Sequence, residues 1–233
     1  MKKTSTILAI GSALALGSAQ AEIESSFHVG YSTDYVFRGA NQGGASEGLY
    51  EYGIDFSGDA SGGATWNAGV WRADFADGAS EETDIYGSVS KEFGAVDLSL
   101  GLIRYDYGNG AAGDTSEIFL GAGTELCGLS LAAVVYYDVD AADGNMYGEL
   151  SAGKSYEVGA GATLDLVASI GSTIDGGAAD DYVTYGLKAA LSKELGDNLT
   201  GSIYIAGEIT EGVRATSTEG DDLYGGISLS YGF

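Results

Sequence analysis

Val96-Asp97-Leu98-Ser99-Leu100-Gly101-Leu102 is the stretch that decides the fold. Apolar residues take every second position, with Asp, Ser and Gly between them. Successive side chains of a β-strand point to opposite faces, so this segment has one greasy face and one small, polar face. The same period of two recurs on both sides of it. Upstream it runs through Phe27, Val29, Tyr31, Thr33, Tyr35 and Phe37, then Tyr50, Tyr52, Ile54 and Phe56, then Ile85, Gly87 and Val89. Downstream it runs through Ile118–Ala122, Leu129–Tyr137, Met146–Ala152, Ala160–Ile170, Val183–Leu191, Leu199–Ile205 and Leu223–Phe233. Only Trp66 to Phe75 mixes its phase, which predicts a bulge or a partly plugged wall there. The pattern predicts about twelve strands.

The connections between these segments alternate in length. Short ones are expected at Gly58–Gly63, Lys91–Gly94, Glu125–Gly128, Ser155–Glu157 and Glu194–Asn198. Longer, more acidic ones fall at Gly39–Ser46, Ala76–Glu82, Gly108–Ser116, Asp138–Asn145, Ser172–Asp181 and Thr210–Asp222. Charge sorts with them. Lys91, Lys154 and Lys193 lie near the short turns, and the long loops are rich in Asp and Glu, with Arg214 the exception. A soluble sandwich shares the alternation but has no reason to polarise in this way. Tight turns at one end and larger loops at the other are the layout of an outer-membrane barrel. In lipid every backbone group must pair within the protein, so such a sheet closes on itself. The expected fold is therefore all-β, a transmembrane antiparallel β-barrel of about 12 strands.

Composition excludes the competing classes. Gly is 39 of 233 residues and Pro is absent, without the period of three that collagen needs. Aromatic residues make up 11%, against disorder. With 34 Asp+Glu and 10 Lys+Arg, the net charge of −24 excludes a nucleic-acid partner. No apolar run long enough for a membrane helix follows the N-terminus. At that N-terminus, Lys2-Lys3, the apolar Ile7–Leu16 and Ala19-Gln20-Ala21 compose a signal peptide with an A-x-A cleavage site. The domain expectation is thus a cleaved signal at 1–21 and an outer-membrane barrel at 22–233. Cleavage leaves eight Lys+Arg against 34 Asp+Glu, a net charge of −26. One cysteine, Cys127, rules out an intrachain disulfide framework.

Tyr31-Ser32-Thr33-Asp34-Tyr35-Val36-Phe37-Arg38-Gly39-Ala40-Asn41-Gln42 resembles the opening segment of the TorF-type porins, which begin Y-x-S-D-Y-x-F-R-G-x-S-Q. Thr33 stands where Ser is usual and Asn41 stands in the second Ser slot. Asn67-Ala68-Gly69-Val70-Trp71 and Glu82-Thr83-Asp84-Ile85-Tyr86-Gly87 are similar to that family's G-x-W and E-x-D-x-Y elements. The resemblance is clearest over residues 27–123. It implies a porin-like barrel and leaves the substrate open. Leu229-Ser230-Tyr231-Gly232-Phe233 is similar to the terminal signal of outer-membrane barrels, which makes Tyr231 and Phe233 the expected contact with the barrel-assembly machinery.

Candidate site residues follow from phase. Asp34 and Arg38 are four apart on one expected face of strand one. Glu51, Asp55, Asp84, Asp97, Arg104, Glu149, Asp165, Lys188 and Glu208 fall on or near the inward phase. The residues expected to line a pore are Asp34, Arg38, Glu51, Asp55, Asp84, Arg104, Glu149, Lys188 and Glu208. Acids outnumber bases, and carboxylate rings favour cations. The same residues also satisfy the simpler need of keeping polar groups out of lipid. Tyr86, Tyr147, Tyr182, Tyr204 and Tyr224 share the inward phase and raise the competing reading, a filled, non-transport surface barrel. No long insert is available as a plug.

Chemistry beyond transport finds little support. The only His, His28, lies at the inner end of strand one without a G-x-S-x-G elbow, so no catalytic residues are expected. Cys127 has no partner for zinc or thiol chemistry. The loop Asp138–Asn145 has its third acid one position late for an EF-hand and reads as a solvated loop, so no metal or cofactor is expected. Gly159-Ala160-Gly161 reads as small inward residues. The expected partners are outer-membrane lipid, lipopolysaccharide and small solutes. The expected function is passive diffusion of small, preferentially cationic solutes.

Overall fold

The computed structural model describes residues 8–9, 12–13, 23–42, 48–76, 81–108, 113–141, 144–175, 180–214 and 221–233. Most of the expected signal peptide, and parts of each long loop, lie outside the described residues. Twelve strands close into one antiparallel barrel: β1 Glu24–Ser32, β2 Leu49–Ala60, β3 Ala64–Phe75, β4 Glu81–Phe93, β5 Val96–Asp106, β6 Thr115–Leu126, β7 Leu129–Asp138, β8 Met146–Gly159, β9 Ala162–Asp175, β10 Asp180–Gly196, β11 Leu199–Arg214 and β12 Asp221–Gly232. Each strand pairs with its chain neighbours. β12 closes on β1 from Gly226↔Ser32 to Gly232↔Ser26, which leaves no sheet edge in the barrel.

The outer surface is apolar. Leu100, Leu120, Leu187, Ile203 and Leu223 are all more than half exposed, and rows of Leu, Ile and Val continue around the wall. A contiguous apolar belt of this size demands lipid rather than water. Aromatic residues rim it: Tyr50 and Tyr185 toward the long loops, Phe93, Tyr156 and Phe233 toward the short turns. Lys91 lies 5.6 Å from the Phe93 ring and Lys154 lies 5.3 Å from the Tyr156 ring, as cations do at a membrane interface.

Four local expectations change. Glu157 pairs with Thr163 inside the β8–β9 ladder, so the expected short connection at 155–157 moves outward. Ala160 (φ 53°) and Gly161 (φ 71°) make that turn themselves and are not inward wall residues. Left-handed φ at both central positions is what a two-residue hairpin turn requires. Cys127 (φ 53°) and Gly128 (φ 76°) repeat this geometry in the β6–β7 turn, where Cys127 is exposed. Trp66–Phe75 contains no bulge, because β3 pairs without a register shift on both sides. Its phase is mixed because the apolar residues face outward at Trp66, Ala68 and Val70 and inward at Trp71, Ala73 and Phe75, where the wall packs on Tyr35 of the inserted segment, as the plugged-wall alternative expects.

The fourth change concerns the start of the barrel. β1 ends at Ser32 rather than continuing through Phe37. The chain then turns into the lumen, and Val36–Phe37 pairs with Ala40–Asn41 in a small hairpin. Arg38 (φ 50°) and Gly39 (φ 73°) are its two turn residues. Val36 and Ala40 are buried, as are Leu49, Trp71, Ala73 and Phe75 of the wall. These last four form an apolar cluster with Tyr35 packed against it. The lumen is thus partly filled without a long insert, by a short segment that the alternating pattern assigns to strand one.

Candidate functional site

Register sorts the wall into two faces. Inward positions at the short-turn end are mostly small: Ser88 faces Gly101, Ser90 faces Ser99, Ser151 faces Ser169 and Ser202 faces Ser228. Toward the long loops the inward side chains become large. Tyr105, Tyr147 and Tyr182 are buried, and Phe119, Tyr136, Tyr204 and Tyr224 occupy the same face. The hairpin sits among these larger side chains.

Arg38 at the hairpin tip is the centre of the arrangement. Its Nη1 and Nη2 donate to Oε1 and Oε2 of Glu117 on β6, both at 2.7 Å. A guanidinium and a carboxylate match in this bidentate form, the strongest type of charge-assisted pair. Its Cζ also lies 4.6 Å from the ring centre of Phe37, 4.4 Å from that of Tyr136 and 4.6 Å from that of Tyr147, within cation–π range. The Arg38 side chain is 13% exposed and that of Glu117 is 9% exposed. Burial by itself would lower the Arg38 pKa, but the Glu117 hydrogen bonds and charge outweigh it and hold it above its ordinary value. The guanidinium is therefore charged throughout the working pH range.

The neighbouring groups secure the rest of the hairpin. Gly39 N–H donates to Glu208 on β11 at 2.8 Å, and Thr210 Oγ1 donates to the Gly39 carbonyl at 2.7 Å. A side chain at position 39 would collide with Thr210 and Thr184, so only glycine combines this φ with this approach. Tyr35 donates to Glu82 on β4 at 3.1 Å and packs on Trp71 and Phe75, each at 5.7 Å between ring centres. Burial, with Glu82 next to it, pushes the Tyr35 pKa well above its ordinary value and keeps the phenol protonated. Asp34 accepts from Asn41 at 3.1 Å, which ties the two arms of the hairpin together.

The expected site residues divide accordingly. Asp34 and Arg38 belong to the hairpin and not to a strand face. Glu51, Asp55, Asp84, Glu149, Lys188 and Glu208 occupy inward positions of β2, β4, β8, β10 and β11. Trp71 donates to Glu51 at 3.2 Å, Tyr86 donates to Asp55, and His28 lies 3.6 Å from Asp55. Lys188 Nζ sits 4.4 Å from the Tyr204 ring. Asp84 Oδ1 is buried without a hydrogen-bond partner among the described residues. Asp97 and Asp165 also face inward.

Arg104 does not fit the expectation. It pairs in register with Ile85 on the lipid-facing phase, and it bonds Asp114 at 3.0 Å and Asp140 at 3.3 Å on the outer rim. One shift in phase moves a side chain to the other face, and the adjacent Tyr105 is the inward residue. Glu117 was not selected from sequence although its signal was present: it precedes Ile118, so it lies on the face opposite Ile118, Leu120 and Ala122.

No protein-family model matches the chain, and no curated protein matches it. Solved structures do. The chain is similar to the NanC porin, with 10% identity over 89% of this chain and 98% of that one, at a TM-score of 0.55. It is similar to the KdgM porin in complex with disordered oligogalacturonate, with 11% identity over 90% and 99% and a TM-score of 0.53. It is also similar to an outer-membrane channel from Pseudomonas putida F1, with 8% identity over 93% and 97% and a TM-score of 0.57. At such identities the likeness concerns architecture, and the chain has the closed twelve-stranded fold of outer-membrane porins.

Proposed function

We propose that the chain is an outer-membrane channel for passive diffusion of small solutes with a preference for cations. The observation that carries this reading is the sign of the lumen. Glu51, Asp55, Asp84, Asp97, Glu149, Asp165 and Glu208 point inward, against Lys188 and, when protonated, His28 on the same face. The buried positive charge of Arg38 is matched by Glu117. Carboxylates lining a narrow, low-dielectric passage attract cations and repel anions. The oligogalacturonate of the KdgM complex is an acidic sugar chain, and this lumen has the wrong sign for such a ligand.

Residues 1–21 act in this proposal as the export signal, and 22–233 as the inserted barrel. Tyr231 and Phe233, stacked 6.4 Å apart, present the terminal assembly signal. The opening motif and the Gly69-Val70-Trp71 element support membership of the TorF-type family.

Planar-bilayer recording under a KCl gradient tests the reading. A reversal potential of the sign set by K⁺ is expected, and an anion-selective reversal potential would overturn the preference. A second reading, a non-transport barrel, has one specific observation in its favour: the hairpin and the tyrosine row fill the long-loop half. Absence of conductance at every voltage, in wild type and with the hairpin removed, would establish it.

A further inference from the structure

We propose that the seat occupied by Arg38 is a binding site for guanidinium-bearing cationic solutes, kept closed by the chain's own arginine until such a solute takes its place. The inference rests on the channel reading above and names its solute class.

The seat belongs to the wall. Glu117, Tyr136 and Tyr147 come from three consecutive strands, β6, β7 and β8. They are positioned by contacts that do not involve the hairpin. Tyr105 donates to Glu117 at 3.0 Å, and Tyr147 shares a hydrogen bond of 3.1 Å with Thr184. Tyr136 packs on Phe119 at 5.8 Å and Tyr147 on Tyr182 at 6.2 Å. A receptor held in this way exists before its ligand arrives, so little ordering accompanies binding.

The geometry selects one chemistry. The carboxylate takes both arms of a planar fork, and the rings lie close to that same group. A guanidinium satisfies both demands. An ammonium supplies the charge but not the fork, and a urea supplies the plane but not the charge. Glu149, on the same inward face, offers a place for a second positive group.

The resident guanidinium is tethered, carried on a short hairpin that Glu208 and Thr210 anchor at Gly39, so a free guanidinium must compete with it for Glu117. The hairpin's strands are two residues each, with Arg38 (φ 50°) and Gly39 (φ 73°) as its turn. A tethered competitor lowers the apparent affinity of a free one by the fraction of time the seat is open.

Titration calorimetry on the folded full chain in detergent, with methylguanidinium, methylammonium and methylurea, tests the proposal. Methylguanidinium is expected to bind Arg38→Ala at least roughly tenfold more tightly than wild type. Methylammonium should bind more weakly and methylurea should not bind. Adding Glu117→Gln to Arg38→Ala should abolish the gain. Equal affinity of wild type and Arg38→Ala, or equal binding of methylguanidinium and methylurea, would overturn it. If Arg38→Ala does not fold, Arg38→Lys serves: it keeps the charge and loses the fork, so methylguanidinium should again bind more tightly than to wild type, and no gain overturns the idea. The same proteins in planar bilayers separate the two readings, since loss of all conductance removes the channel and leaves the calorimetric result to decide the seat.

Discussion

The two halves of the lumen are built from the same strands but to opposite ends. The short-turn half has Ser, Gly and scattered carboxylates facing inward and no inserted segment among the described residues. The long-loop half carries Trp71, Phe75, Tyr105, Tyr147 and Tyr182 as buried side chains, and the hairpin that ends in Arg38 and Gly39. The inward carboxylates are shared between them: Asp55, Asp97 and Asp165 line the first half, and Glu51, Asp84, Glu149 and Glu208 the second. In the proposed channel the second half is the barrier, and the hairpin governs passage through it.

That division can be broken most decisively by replacing residues 33–42 with a short Gly/Ser linker. Single-channel conductance should rise several-fold with the barrel still folded, as judged by heat-modifiable gel migration. Unchanged conductance would mean that the barrier lies elsewhere. Glu117→Gln comes next. It strands a buried guanidinium without its carboxylate, a loss of about 3–5 kcal/mol for a buried pair. Frequent opening events in current traces and faster protease cleavage within 33–42 are expected. Gly39→Val is milder. The left-handed turn costs about 1–2 kcal/mol with a β-carbon in place, before the collision with Thr210 and Thr184 is added. Its open probability should lie between those of wild type and Glu117→Gln. Arg104→Ala sharpens the comparison by doing almost nothing. Its pairs with Asp114 and Asp140 are exposed and lie outside the lumen, so they contribute at most about 1 kcal/mol, and conductance and reversal potential should match wild type.

Much of the wall was legible because a strand reports its faces locally. Every strand has a counterpart in the alternating segments, and the inward placement of Glu51, Asp55, Asp84, Glu149, Lys188 and Glu208 followed from counting by two. Arg104 shows the limit of that method: near a loop, one residue of phase changes lumen to rim. Gly159-Ala160-Gly161 shows another, since a small residue in a tight turn looks the same as a small inward residue until φ is known. The Tyr31–Gln42 motif was the largest misassignment. Thr33, Tyr35 and Phe37 continue the alternation of Phe27, Val29 and Tyr31, so the periodicity ran past the true end of β1 at Ser32.

The sequence by itself determined that the chain must be a closed antiparallel barrel with an acidic interior. Its alternation and its long and short connections leave a lipid-facing sheet no other way to pair its backbone. Only the tertiary structure decided that residues 33–42 turn inward. Their partners Glu82, Glu117, Glu208 and Thr210 stand on β4, β6 and β11, far along the chain, and come within reach of Tyr35, Arg38 and Gly39 only when the cylinder closes.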